Sequence, residues 1–478
     1  MHYNFPEIPN KKKEIFIYGT GGVGEKVYSH FFKSYKIKGF IQTSKQLDIF
    51  KNKKVYDLNE LESININSYT YILASKANEK EMSYNLKCLG IDFENIIFLE
   101  DLKIKRDFLY YPQITSEKLL REIVEKTEWF FPENNHNSNK IYLYTDKFLK
   151  NKYSNRGYKS RIEFIDEISD KFMQECILLL WKKEDEGKLI KSGYLDAYLV
   201  DKNYGKGLDF WNYVFLFNKT LPQEYFKKMD EISKMNYEEL LSLNYDKSYL
   251  FASGPNLKKY NFNDELRNSF RFACNGVIKD SNLMNLIKPN IITIADWIWF
   301  FSSSKYSFDY RFKLEEYIIN NKCFLIIPKV LQPLLSIQYP RIANSIIGID
   351  SLKVNGWHFP NKNELWIKEM DNIATIFMIP LASSLTDDIL LIGFDGKKIN
   401  QNFKITDVWE KIELKDDDLV KSLVNDYPSW FSLTSQEQQY YYLNHCENME
   451  SIISFGEMQN KNYKSLTNSY IPALLKRT

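Results

Sequence analysis

Five short apolar runs between residues 248 and 396 each end in a turn: SYLFASGPNL, FRFACNG, NIITIAD, CFLIIP and ILLIGFDG. Runs of this length, rich in β-branched and aromatic residues, predict strands of a parallel sheet with helices between them. The same alternation opens the chain. EIFIYG, IKGFIQ, YTYILAS and NIIFLE predict four strands over residues 14–100, and the stretches 25–36 and 78–89 predict helices, giving a compact unit of Rossmann type. Residues 101–135 read as polar helix, ending in a turn-rich PENNHNSNK that has the composition of a linker. A second α/β pattern begins at KIYLYTDKF, with a helix expected around 160–174. CILLLW, AYLVD and YVFLFN follow as strand-like runs, and residues 222–245 read as amphipathic helix.

At 478 residues the chain is too long for one core, so several domains are expected. The divisions predicted are a small Rossmann-like domain over 1–105, an α/β and helical middle region over 106–245, and a second Rossmann-like domain with a helical C-terminal segment over 246–478. A net charge of +2 makes no global case for nucleic acid. Five scattered cysteines without C-x-x-C spacing suit reduced thiols. MHYNFPEIPNKKK lacks the apolar stretch of a signal peptide, and the most apolar run, Ile373 to Leu385, is too short to span a bilayer. A soluble, cytoplasmic protein is expected, with peripheral association at an inner membrane and oligomer formation both left open.

Residues Gly19-Thr20-Gly21-Gly22-Val23-Gly24 fit the G-x-G-x-x-G dinucleotide fingerprint after a predicted strand. A nicotinamide dinucleotide site also needs an acid at the end of the second strand, where this chain has Gln42-Thr43-Ser44. Two other readings stay open: an accessory nucleotide or sugar loop at Gly19, Gly21, Gly22 and Gly24, or a turn that packs a helix onto a sheet. In its strand, GxGG, helix and "GFI" the segment resembles the Rossmann-like N-terminal domains of bacterial enzymes that acetylate UDP-amino sugars. That resemblance spans about 85 residues.

The second loop, Ser253-Gly254-Pro255-Asn256-Leu257, follows the strand YLFA and places backbone amides where a phosphate can sit. Asn275, Asp296, and Asp395 with Gly396 stand at the ends of three further predicted strands. In open parallel sheets ligands bind outside the carboxyl ends of strands, where these positions converge. The pattern SGPNL, ACN and GFDG resembles the bacterial sialyltransferases of glycosyltransferase family 42, and also the Maf flagellin glycosyltransferases and the MptE-like pterin diphosphokinases. The resemblance covers roughly residues 245–478. It implies a GT-A-variant Rossmann-like domain in which Gly254, Pro255, Asn256, Asn275 and Gly276 hold the nucleotide of a CMP-activated sugar. Asp296 and Asp395 would shape the site, and Asn372 would cap the cytidine or phosphate. Asn372-Ile373-Ala374 departs from the family's Thr-Ser-Gly, and Lys397-Lys398-Ile399-Asn400 stands where the family carries phosphate-stabilising tyrosines.

Inverting transfer needs a base for the acceptor hydroxyl, and a near-neutral histidine is the usual one. The resemblance places that base downstream of the GFDG strand, which selects His445; His358 is the reserve, and a structural histidine is the competing reading for His445. Together with Asp395 it makes the expected catalytic set. The tail Ser465 to Pro472 resembles the family's final strand and turn, bringing Ser469 to the donor. Asp416-Asp417-Asp418 precedes an apolar helix and suits the helix dipole better than a metal. No metal and no cofactor are expected, the CMP-sugar being the donor substrate. The expected activity is transfer of an acidic sugar (sialic, nonulosonic or Kdo-like) to a bacterial surface glycan, lipopolysaccharide, capsule or flagellin. Its rivals are an ATP- and Mg²⁺-dependent diphosphokinase on the same scaffold, a non-catalytic nucleotide-sugar-binding protein, and an NAD oxidoreductase resting on the first glycine loop alone.

Overall fold

The computed structural model describes residues 3–4, 14–75, 79–92, 95–98, 100–101, 106–134, 136, 138–154, 161–186, 189, 197–205, 207–262, 266–397, 417–429 and 434–478. They form two compact units, Met1–Lys103 with Leu352–Asn355, and Ile104–Ser351 with Gly356–Thr478. The protein is mixed α/β, built on three main sheets of Rossmann-like character.

The sheet of the first unit comprises β1 (Glu14–Tyr18), β2 (Ile37–Gln42), β3 (Ile49–Phe50), β4 (Lys53–Asp57), β5 (Tyr69–Leu73) and β6 (Ile96–Phe98), in the order β3-β4-β2-β1-β5-β6. All pairings are parallel except β3 with β4. Side chains alternate along β1, so Ile15 and Ile17 meet Val27 and Phe31 of α1 (Gly22–Phe31) on one face. Phe16 and Tyr18 meet Met82 and Leu86 of α2 (Glu79–Cys88) on the other. Both faces are therefore apolar and covered, as a doubly wound sheet requires.

The second unit holds two sheets. The first comprises β7 (Phe108–Ile114), β8 (Ile141–Thr145), β9 (Ile162–Ile165), β10 (Ile177–Leu180) and β11 (Ala197–Leu199), ordered β9-β8-β7-β10-β11 and parallel throughout. Three sequence expectations change here. Residues 108–114, read as polar helix, are the central strand; Pro112 interrupts the run and coincides with a register shift against β8, which hides the strand pattern. Only Asp170–Glu175 of the expected 160–174 helix is helical, because IEFI pairs beside β8. YVFLFN is not a strand but part of the helix Leu208–Thr220, which buries Phe210, Tyr213, Val214 and Phe217 at helical spacing. The linker-like segment after residue 131 joins two elements of one compact unit.

The second sheet has eight strands: β12 (Lys247–Phe251), β13 (Phe270–Cys274), β14 (Ile291–Thr293), β15 (Phe324–Pro328), β16 (Ile346–Leu352), β17 (Trp366–Lys368), β18 (Asp388–Ile392) and β19 (Asn462–Ser465). Their order is β17-β16-β15-β14-β13-β12-β18-β19. The chain winds outward from β12 in one direction and resumes at β18 on the other side. One face packs Leu250 and Phe272 against Phe377, Met449 and Ile453. The other shares a core with the preceding sheet, where Tyr249 and Ile292 belong to the same cluster as Tyr110, Phe130 and Tyr213. Burial of each such side chain is worth about 1.5–3 kcal/mol. Residues 104–245 and 246–478 are therefore two sheets around one core.

Polar contacts reinforce that junction. The indole of Trp129, on α3 (Glu117–Phe130), donates to the Phe301 carbonyl at 2.8 Å. The buried guanidinium of Arg311 lies 3.7 Å over the same ring and donates to the Phe300 and Ser302 carbonyls.

Candidate functional site

Strands β12 and β18 are neighbours, and the loops leaving their carboxyl ends run in opposite directions. This is the switch point at which an open parallel sheet leaves a crevice. The SGPNL loop leaves β12 and the GFDG turn leaves β18, and the two are joined along their backbones. Ala252 N–H donates to Ile392 O at 2.9 Å and Gly254 N–H to Gly393 O at 3.0 Å. Asp395 turns inward, 7% exposed, and one carboxylate oxygen accepts the Asn256 N–H at 2.9 Å. A Cβ on Gly254 would lie 2.3 Å from Gly393 O and 2.7 Å from Asp395 Cγ, so glycine is obligatory. Asp395 thus braces the SGPNL loop on both sides of Pro255, at Gly254 and at Asn256.

The tail after β19 closes over the same turn. Gly393 N–H donates to Thr467 Oγ1 at 2.9 Å, Ser469 Oγ donates to Phe394 O at 2.6 Å, and Tyr470 N–H donates to Asp395 O at 2.6 Å. Asn256 Nδ2 donates to Asn468 O at 3.1 Å. The Asn256 amide and the Ser469 hydroxyl, expected to face the donor, are directed instead onto the protein's own backbone.

Asn275, the residue after β13, lies in the left-handed region at φ +44°. Asn tolerates that conformation better than most residues, and such strain concentrates at functional sites. Its carbonyl accepts from Tyr310 Oη at 2.7 Å, and its Nδ2 donates to Asp296 Oδ2. Its Oδ1 is buried with no hydrogen-bond partner among the described residues. Gly276 follows, buried in the first turn after the strand. Burial pushes the Asp296 carboxyl up to about 6, the Asn275 amide opposing. Asp296 precedes the helix Trp297–Phe301, and Trp297 packs on Phe210 (4.4 Å) and Trp211 (4.6 Å) of the helix that follows β11. Gly207 lies so close to Trp297 that a Cβ there would stand 2.5 Å from the ring. The middle region thereby supplies a wall beside Asp296.

Asn372 sits at the start of the helical stretch ending at Leu385, its Oδ1 accepting the Ala374 N–H at 2.9 Å. Residues Ala374–Met378 form a π turn. Pro380 accounts for it, since it lacks an N–H and its ring clashes with the carbonyl four residues back.

The helix Ser435–Glu457 begins at a Thr434/Glu437 capping box and carries His445. Burial holds this imidazole down at about 4, and its Nδ1 is buried without a hydrogen-bond partner among the described residues. It is therefore neutral at physiological pH, but its value lies below the near-neutral one expected of a base, because burial opposes its charged form. One turn earlier, Tyr442 Oη accepts the Lys397 N–H at 2.8 Å and donates to the Lys397 O at 2.7 Å. A Cβ on Gly396, which is at φ +62°, would stand 2.8 Å from that hydroxyl. The helix bearing His445 is thus stitched to the GFDG turn. The reserve histidine, His358, stacks on Trp366 at 3.9 Å with Nε2 3.4 Å from the Glu364 carbonyl, held within its own loop. Lys398 to Asn400 and Asp416 lie outside the described residues; Asp417 opens the helix Asp417–Asp426.

In the first glycine loop, Gly19 takes φ +117° and Gly24 packs so tightly that a Cβ would stand 2.2 Å from Gly19 O. Gly21 and Gly22 face open space. Gln42, at the position of the missing acid, donates to Thr20 Oγ1 at 2.7 Å and accepts the Gln46 N–H at 2.8 Å.

The structure therefore brings Gly254, Pro255, Asn256, Asn275, Gly276, Asp296, Asp395 and Gly396 to the carboxyl edge of one sheet. The Thr467 hydroxyl, expected with the tail's serines to approach the donor, accepts the Gly393 N–H instead, and Tyr442, Tyr310 and Trp297 were not singled out from the sequence. The only trace of Tyr442 is its place three residues before His445 in YYYLNH. The chain matches no protein-family model, no curated protein and no solved structure. No described helix is long and apolar enough to cross a membrane.

Proposed function

We propose that the carboxyl edge of the eight-stranded sheet binds a CMP-activated acidic sugar and transfers that sugar to a hydroxyl of a bacterial surface glycan or flagellin. The observation that carries this reading is the buried, unpartnered His445 Nδ1 on a helix tied to the GFDG turn, the same turn that braces the SGPNL loop. The donor nucleotide lies in the crevice beside the SGPNL loop, whose Gly254 and Asn256 amides are already engaged within the protein, and the unpartnered Asn275 Oδ1 accepts a donor from it. The acceptor oxygen bonds to the anomeric carbon while the bond from that carbon to the phosphate oxygen breaks. The electron pair leaves with CMP, and the acceptor proton passes to His445.

A thermal-shift panel of CMP, UDP, GDP, ATP and NAD against wild type, Asn275→Ala and His445→Ala tests the reading. CMP is expected to raise the melting temperature of wild type and of His445→Ala, but not of Asn275→Ala. His445→Ala is expected to abolish transfer while leaving that shift intact. No CMP shift, or one that survives in Asn275→Ala, overturns the reading. ATP turnover abolished by EDTA replaces it with a diphosphokinase.

A further inference from the structure

The helix Lys305–Asn321 is apolar on two opposite faces. Its inner face buries Tyr306, Tyr310, Leu314 and Ile318, which recur every fourth residue. At about 100° per residue, Lys305, Phe308, Phe312, Glu316 and Ile319 fall within about 80° of one another on the side turned directly away from that core. All five are exposed, Phe308 by 63% and Phe312 by 53%. A solvated helix face ordinarily carries polar and charged groups, and apolar residues scattered singly on it need no explanation. Here two aromatic rings one turn apart and an isoleucine two turns further on form one stripe, as on a surface that meets another apolar surface.

The charges along the stripe select the partner. Asp309 and Lys313 of the same helix pair with each other at 3.3 Å, whereas Lys305 and Glu316 have no ion-pair partner among the described residues. Lys305 and Glu316 lie on the same flank of the stripe, eleven residues or about 16 Å apart along the axis. Two copies related by a two-fold axis across the helix run antiparallel, and each flank then meets the same flank of the partner. With the axis at residue 310, Phe308 packs on the partner's Phe312 and Phe312 on the partner's Phe308. The same register brings Lys305 to within one residue, about 1.5 Å of rise, of the partner's Glu316, and symmetry repeats the pair. A partner of one charge sign would instead meet either Lys305 or Glu316 as a like charge.

We infer that this face is the two-fold interface of a weak homodimer of the chain. The two rings, at roughly 200 Å² each and a little over half exposed, offer about 230 Å² per copy. That is well short of the ~800 Å² per partner of a stable complex and belongs to the transient class, with dissociation expected at about 10–100 μM. The inference stands independently of the transferase reading.

Sedimentation velocity of the full chain between about 1 and 300 μM tests it, with wild type passing from monomer to dimer over that range. Phe312→Ser removes an exposed ring and is expected to stay monomeric while melting like wild type by circular dichroism. Lys305→Glu and Glu316→Lys each set like charges opposite one another and are expected to weaken association about tenfold. An equal mixture of these two variants restores opposite charges at both pairs and is expected to associate as wild type does. A wild-type chain that is monomeric throughout overturns the inference, since the face is then covered by the chain itself or by another molecule. So does a dimer that survives Phe312→Ser, or a mixture of the charge variants that associates no better than either alone.

Discussion

Asp296 and His445 are shifted in opposite senses by the same cause, burial, and their effects on stability oppose each other. Asp296 binds its proton more tightly folded, at about 6, than unfolded, at about 4. Its contribution is complete below about 4 and is lost as pH rises to about 6. His445 binds its proton less tightly folded, at about 4, than its ordinary 6.5. Its contribution is complete above 6.5 and is lost as pH falls to about 4. Single variants should separate the two. Asp296→Asn is expected to melt higher than wild type near neutral pH, and its stability should rise more steeply with pH between 4 and 6. His445→Gln should rise less steeply than wild type over the same interval. Urea unfolding at a series of pH values measures both slopes, and parallel curves for both variants would contradict the assignment. The two residues were legible in different degrees. Asp296 stands out as a charge ending an apolar strand, whereas His445 was selected by its order after GFDG. Tyr442 escaped because it acts on the backbone of Lys397, a contact that leaves no side-chain pattern in the sequence.

The glycines separate packing from open space at the level of the element. Gly24 is fixed by the crossing of α1 over the Gly19 carbonyl, while Gly22 faces nothing within 4 Å. Gly24→Ala is expected to destabilise the first unit by about 1–3 kcal/mol through overpacking. Gly22→Ala should match or slightly exceed wild type, since alanine suits a helix better than glycine by about 1 kcal/mol. Thermal melts of the two variants give the comparison, and equal losses would contradict the packing. The fingerprint G-x-G-x-x-G was visible in the sequence, yet its tight turn and close helix crossing are met by packing, with Gln42 bridging to Thr20. Elements were most legible where apolar β-rich runs ended in glycine, asparagine or aspartate. They were least legible at Phe108–Ile114, broken by Pro112, and at YVFLFN, whose continuous apolar face suits strand and helix alike.

At the scale of the whole molecule, the first unit has its own two-sided core, and the two later sheets share one. A chain beginning at Ile104 is therefore expected to fold and to keep the pH dependence set by Asp296. A fragment divided at residue 245 is expected to aggregate, because Tyr110, Phe130 and Tyr213 would lose their packing partners across the junction. Circular dichroism melts and gel filtration of the two fragments distinguish these outcomes. The repeated α/β order was plain in the sequence, but the fusion of two sheets was not. It depends on long-range contacts such as Trp129 with Arg311, which no local periodicity encodes.

The bond from the Asn256 amide to Asp395 spans 139 residues of chain, with most of the eight-stranded sheet wound between its ends. Closing so long a loop is entropically costly, and contacts of this separation lag behind local ones in folding. The Asn256 amide is therefore a clock for maturation. In a refolding pulse of deuterium it should gain protection after the amides of the helix Gln223–Ser242, and the crevice is absent until β18 has docked.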